Sequence, residues 1–169
     1  MANVQVVKLT PDEWRLYKQI RLESLLVEPQ ALASSYADVV KRPKSQWQER
    51  LIEARAGKKS WLLFAKENER IIGMIGAYIG EESDVVEIIS VYVTKEKRGL
   101  GAATALMEAI LTEVAKFGAF RKAVLTVNAG QTAAVALYRH FGFQIVGENT
   151  GVLGDGNSYQ GYVMEMELT

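Results

Sequence analysis

Residues 91–103 read Val91-Tyr92-Val93-Thr94-Lys95-Glu96-Lys97-Arg98-Gly99-Leu100-Gly101-Ala102-Ala103. The order is an apolar strand end, a basic turn, a glycine pair and a helix start. From Leu100 onward, Ala103, Met107, Ile110, Val114 and Phe117 recur at helical spacing, and Gly118 closes the run. A helix N-terminus presents unpaired N–H groups and the positive end of its dipole. Gly99 and Gly101 leave no side chain in the way, so an anion can approach the backbone. Lys95, Lys97 and Arg98 add positive charge beside it. The stretch is a candidate pyrophosphate cradle; its plain alternative is a strand-to-helix turn with solvated lysines. Two other cradles do not fit. The chain has no GxxxxGK[ST], and Thr104 stands where GxGxxG needs its third glycine.

Working outward in both directions, the pattern alternates strands and helices. Val4 to Val7 suggests a strand, and Thr10-Pro11-Asp12-Glu13 a capped helix start leading into Leu16, Ile20 and Leu26. Glu28-Pro29 ends that helix, and residues 29–44 read as irregular. Ser45-Gln46-Trp47-Gln48 reads as a second capping box, with Gly57 as the stop. Strands follow at 61–65, 71–79 and 85–93, then the helix after Gly99, a strand at 123–127, a helix at 132–141 and a strand at 143–146. Tyr162, Met164, Met166 and Leu168 alternate with other residues as a last strand. The resulting order, β-α-α-β-β-β-α-β-α-β-β, predicts a mixed α/β layer structure around one sheet.

Composition excludes several chemistries. The 169 residues hold 20 Lys+Arg and 20 Asp+Glu, so no basic excess points to nucleic acid. There is no cysteine, which removes disulfides, thiolate metal ligation and a cysteine acyl-enzyme, and His140 is the single histidine. No metal site is expected. Gly156-Asn157-Ser158-Tyr159-Gln160-Gly161 has the wrong spacing for a GxSxG nucleophile elbow. No signal-peptide core opens the chain and no apolar run approaches ~18 residues, so a cytoplasmic protein without membrane partners is expected.

Arg98-x-x-Gly101-x-Ala103 after a long apolar strand resembles the acyl-CoA signature of the GNAT superfamily of N-acetyltransferases. Val127-Asn128, then Ala134-Val135-Ala136-Leu137-Tyr138 and Gly142-Phe143, is similar to that superfamily's N…A-x-x-L-Y-x-x-x-G-F segment. The element order over residues 3–168 agrees. Two positions depart from the family: Lys95 replaces a frequent Pro, and Gln131 replaces a frequent Asn. The resemblance implies one α/β domain over residues 1–169. Its central sheet would be mostly antiparallel, with six to seven strands, splayed middle strands and about four flanking helices.

It also implies roles. Acetyl-CoA would be the cosubstrate, its pantetheine in the wedge between strands 85–93 and 122–127. The backbone of Val91, Tyr92 and Val93 would pair with it. Arg98, Gly99, Leu100, Gly101, Ala102, Ala103 and Thr104 would hold the pyrophosphate, with Asn128 and Gln131 also on the cofactor side. Tyr138 would protonate the leaving thiolate. Lack of cysteine makes direct transfer the natural route. Glu87 is the one acid in the apolar run 85–93. A carboxylate withdrawn from water there suits general-base work, and some GNAT enzymes carry their base six residues before the equivalent of Val93. Glu87 is otherwise a solvent-facing residue or half of an ion pair. Ser35, Tyr36 and Tyr159 would line the acceptor pocket, with Arg21 and Glu23 read as a solvated helix face. The expected activity is N-acetylation of a small-molecule or peptide amine by a monomer or homodimer; the alternative is an acyl-CoA sensor without turnover.

Overall fold

Strand β4 (Val85–Val93) lies in the middle of a seven-stranded sheet, and everything that matters to the site is placed relative to it. The computed structural model describes residues 3–118 and 120–168. Along the chain come β1 (Val4–Val7), α1 (Trp14–Val27), α2 (Tyr36–Val39), α3 (Lys44–Ala56), β2 (Ser60–Glu67), β3 (Arg70–Ile79) and β4. Then follow α4 (Ala102–Phe117), β5 (Lys122–Asn128), α5 (Thr132–His140), β6 (Gln144–Val152) and β7 (Ser158–Glu167). Strand order is β1-β2-β3-β4-β5-β7-β6, antiparallel everywhere except between β4 and β5. That is the expected architecture, with five helices among the described residues where about four were expected. No helix among the described residues is long and apolar enough to cross a membrane.

The sheet is covered on both faces, because its central strands are apolar on both sides. Along β2, Trp61, Leu63 and Ala65 join the core under α4, while Phe64 joins the other core. Helix α4 turns Leu106, Met107, Ile110 and Val114 onto the sheet, all fully buried. Burial of each such side chain is worth about 1.5–3 kcal/mol. On the opposite face α1 and α3 bring Tyr17, Ile20, Trp47 and Leu51 onto Phe64, Met74 and Tyr92. Tyr17 meets Trp47 edge-on with ring centroids 5.0 Å apart.

Three local readings change. Thr10 and Glu13 do form the expected box: the Thr10 N–H donates to Glu13 Oε1 at 3.0 Å. Ser45 does not cap α3; the helix starts at Lys44 after Pro43, and Gln48 instead donates to the Pro11 carbonyl at 3.3 Å. Pro43 stands at the N-cap in extended conformation, and its carbonyl accepts from the Gln46 amide at 3.0 Å, with no side-chain cap. Residues 36–39 form the short helix α2, capped by Ser35, within the segment read as irregular. Finally β6 runs to Val152 and β7 begins at Ser158, both well beyond their apolar cores. This hairpin is largely solvent-exposed. Backbone pairing such as Thr150 with Gln160 holds it without a hydrophobic period to signal it.

Candidate active site

β4 and β5 are hydrogen-bonded only from Val85–Glu87 to Lys122–Val124. Beyond Glu87 they part. A bulge in β4 drives the separation: Met74 pairs with Tyr92 and Gly76 with Ile89, so Ser90 and Val91 together oppose one residue of β3. Ser90 takes φ +58°, a left-handed conformation costly for any residue but glycine. A bulge adds twist and bends its strand, and it releases backbone groups from the ladder. Here it turns the end of β4 away from β5.

The opened wedge holds a cavity of about 420 Å³. Val91, Tyr92, Val93, Arg98, Gly99, Gly101, Ala102, Ala103, Thr104, Gln131 and Tyr138 all line it. Leu100 does not; its side chain is 69% exposed. At one end lies the turn into α4. Gly101 sits at φ +92° as the N-cap, and Gly99 at φ +77°. A Cβ on either glycine would meet nothing within 4 Å, so the floor is open backbone rather than packed core. The amides that open α4 face no acceptor within the helix. An anion fits there on charge and on space.

Two of the three basic side chains of the turn, Lys97 and Arg98, are engaged elsewhere. Lys97 pairs with Glu67 at 2.7 Å. Arg98 donates from Nε to the Val93 carbonyl at 2.9 Å, pairs with Glu28 at 2.8 Å and lies over the Tyr92 ring. The guanidinium thus straps β4 to the end of α1. Glu23 completes the strap by accepting from the Tyr92 hydroxyl at 2.7 Å and from Thr94 at 2.8 Å.

Tyr138, on α5, is buried in the wall of this cavity, with Phe143 edge-on at 6.1 Å. Burial alone pushes its phenol above the usual range, so it stays protonated at neutral pH. Gln131 precedes α5 without a side-chain cap bond. Asn128 lies outside this cavity: it donates to the Gln30 carbonyl at 2.8 Å and accepts from the Gly130 amide, tying β5 to the loop after α1. His140 is exposed at the far end of α5.

A second cavity, about 310 Å³, adjoins the first through Ile88, Ser90, Thr126 and Val127. Glu87 and Tyr159 line it; Ser35 and Tyr36 line neither cavity. Ser35 bonds to Asp38 as the cap of α2, and Tyr36 packs against the core beneath α1. Their neighbour Ser34 lines the second cavity in their place. Glu87 is half-buried and accepts from the Tyr78 hydroxyl at 2.6 Å. That bond, then burial, pushes the Tyr78 phenol up to about 12. Tyr159 lies within β7 rather than in a loop, its hydroxyl on Asp155.

The roof of this cavity is the β6–β7 hairpin docked on residues 29–34. The Gly154 amide donates to the Leu32 carbonyl at 2.7 Å. A Cβ at Gly154 would collide with the Ser34 carbonyl and crowd that of Leu32, so glycine permits this approach. Arg21 reaches the cavity from α1, donating to Ser90 and Ser34, each at 3.4 Å. A helix-face pattern marked Arg21 as solvated; only the fold shows it turned inward. No group of three or more metal-ligating side chains assembles among the described residues.

Comparison with known proteins agrees with this geometry. The sequence profile of the acetyltransferase (GNAT) family matches residues 17–143. An uncharacterized N-acetyltransferase of Mycobacterium tuberculosis is 36% identical over 107 residues, covering 63% of this chain and 67% of the relative. A putative acetyltransferase from Salmonella typhimurium, solved with its cofactor acetyl-CoA, superposes with TM-score 0.82 at 16% identity, covering 99% of this chain and 95% of that one. A ribosomal-protein-alanine N-acetyltransferase from Brucella melitensis superposes with TM-score 0.80 at 20% identity, covering 97% and 99%. The split sheet, the α4 cradle and the profile match together place the chain in the GNAT acetyltransferase family, as an acetyl-CoA-dependent acyltransferase.

Proposed function

We propose that the protein moves an acetyl group from acetyl-CoA directly to a primary amine of a small molecule or peptide. The observation that carries this reading is the wedge itself. It is lined by a backbone anion cradle and a buried, protonated phenol, and it adjoins a second cavity that carries Glu87, the last β4 residue paired with β5. The amides from Gly99 to Thr104 hold the pyrophosphate. The backbone freed near Val91 and Val93 pairs with the pantetheine arm as an added strand would, with Gln131 beside it. The thioester then lies between Val91 and Tyr138.

An alkylammonium has an unperturbed pKa of about 10.4, so a proton must leave before attack. Glu87 takes that proton, directly or through water. The amine lone pair attacks the thioester carbon, an N–H near Val91 steadies the oxyanion, and the C–S bond breaks. Tyr138 delivers its proton to the departing thiolate. The acylated nitrogen gives its second proton back to Tyr138 and Glu87 sheds its own to solvent, so amide, CoA thiol and one proton leave a regenerated site with no covalent enzyme intermediate.

The test is thiol release with acetyl-CoA against a panel of amines, beside a thermal scan with CoA. Turnover with at least one amine class and a CoA-induced rise in Tm support the reading. A Tm rise with no turnover on any amine indicates an acyl-CoA sensor; no Tm rise at millimolar CoA overturns both.

A further inference from the structure

The second cavity contains a charge that no described carboxylate neutralises. Arg21 is half-buried on its wall. Its guanidinium donates to two neutral hydroxyls, Ser90 and Ser34, both at the long distance of 3.4 Å. It belongs to none of the ion pairs formed among the described residues. Carboxylates on nearby elements are committed to other groups: Glu23 to Tyr92 and Thr94, Glu28 to Arg98, Glu87 to Tyr78. Burial is the main factor disfavouring the ionised form of Arg21, and Arg42 and Arg50 add further positive charge around it. The Nη1 of Arg42 is itself buried with no hydrogen-bond partner. A partly desolvated cation held only by hydroxyls is a costly arrangement that a bound anion relieves. Guanidinium offers a planar fork that matches a carboxylate, and Ser34 and Ser90 add hydroxyl donors beside it. The same cavity carries Glu87, placed to receive a cationic group.

We infer that the acceptor is an amino acid or close analogue, its carboxylate held by Arg21 with Ser34 and Ser90 and its amine turned toward Glu87 and the wedge. This rests on the acetyl-transfer reading and narrows its acceptor to a small zwitterion. The cavity volume of about 310 Å³ suits a free amino acid better than a folded protein terminus.

The test pairs each standard L-amino acid with the amine left by its decarboxylation. Binding of each to the CoA-saturated full-length protein is measured by calorimetry, and acetyl transfer by thiol release. At least one amino acid is expected to bind roughly ten- to a hundredfold more tightly than its decarboxylated partner. Arg21→Gln is expected to erase that preference, and Arg21→Lys to restore part of it, since charge returns without the fork. The wild-type pairs alone decide the question if a variant fails to fold. Equal affinity within every pair, or no binding by any amino acid, overturns the inference. So does preference for aminoalkylphosphonates over the matching carboxylates, which would make the anion a phosphoryl group. Calorimetric preference without thiol release keeps the amino-acid site and removes the transferase reading. Thiol release equal for both members of every pair does the reverse.

Discussion

The two cavities that meet at the β4 bulge are built in opposite ways. The larger one rests on backbone: glycines at positive φ, the open amides of α4, and strand edges freed where β4 and β5 part. The smaller one is built from side chains, with Arg21, Ser34, Glu87, Ser90 and Tyr159 brought in from α1, the following loop, β4 and β7. A backbone site binds what every acyl-CoA shares, namely pyrophosphate and an amide-bearing arm. A side-chain site selects. On the proposed reading, in which the larger cavity seats the cofactor and the smaller one the acceptor, cofactor use and acceptor choice are separable, and substitutions should separate them.

The largest effect is expected at the backbone site. Gly101→Glu places a bulky anion over the cradle and should abolish the Tm rise caused by CoA, a rise worth about 2.7 kcal/mol at a hundredfold excess over Kd. Gly101→Ala should lower the Tm of the free protein, because φ +92° costs a β-carbon roughly 1–2 kcal/mol, yet retain the CoA shift. Loss of the shift in both variants would mean that fold, not anion contact, is being read. Next, Tyr138→Phe should lower kcat roughly ten- to a thousandfold with little change in CoA affinity, measured by turnover and calorimetry. Unchanged turnover with chemistry rate-limiting would remove Tyr138 from the mechanism.

On the acceptor side, Glu87→Gln should slow transfer, and the deficit should shrink as pH rises, because solvent then supplies free amine. A mutant pH–rate profile parallel to wild type across about pH 6–9 would leave Glu87 an orienting residue. Its bond to Tyr78 gives a separate readout. The folded Tyr78 phenol ionises near 12 rather than 10. Above pH ~10 the unfolded chain releases this proton while the folded one keeps it, so stability falls with rising pH through that window. Tyr78→Phe should flatten part of this alkaline loss, followed by denaturant melts between about pH 9 and 12. The smallest effect is expected from Glu28→Gln. It frees Arg98 and removes a negative charge from the cavity wall, and should tighten CoA binding by roughly a few-fold, as partly exposed pairs are worth about 0.2–1 kcal/mol.

The same contrast explains what the sequence made legible. The cradle is contiguous, so Arg98, Gly99 and Gly101 could be read as a unit, and apolar periodicity located α4 and the central strands. The side chain of Arg98 could not be read, because its partner Glu28 lies on a distant segment. Arg21 reaches Ser90 across 69 positions of sequence, and no local pattern encodes that. Ser35 and Tyr36 stand one and two residues past the cavity-lining Ser34: the short helix α2, capped by Ser35, turns them aside and leaves Ser34 facing in. The bulge at Ser90 escaped as well, since a left-handed serine within a β-branched run follows no propensity.

The central claim is that the parting of β4 and β5 creates the seat for acetyl-CoA. A crystal structure of the protein with acetyl-CoA tests it most directly. The account predicts the pyrophosphate on the amides between Gly99 and Thr104, the pantetheine along Val91 to Val93, and the thioester sulfur next to the Tyr138 hydroxyl. Acetyl-CoA bound elsewhere, or a thioester remote from both Tyr138 and the bulge, would contradict it.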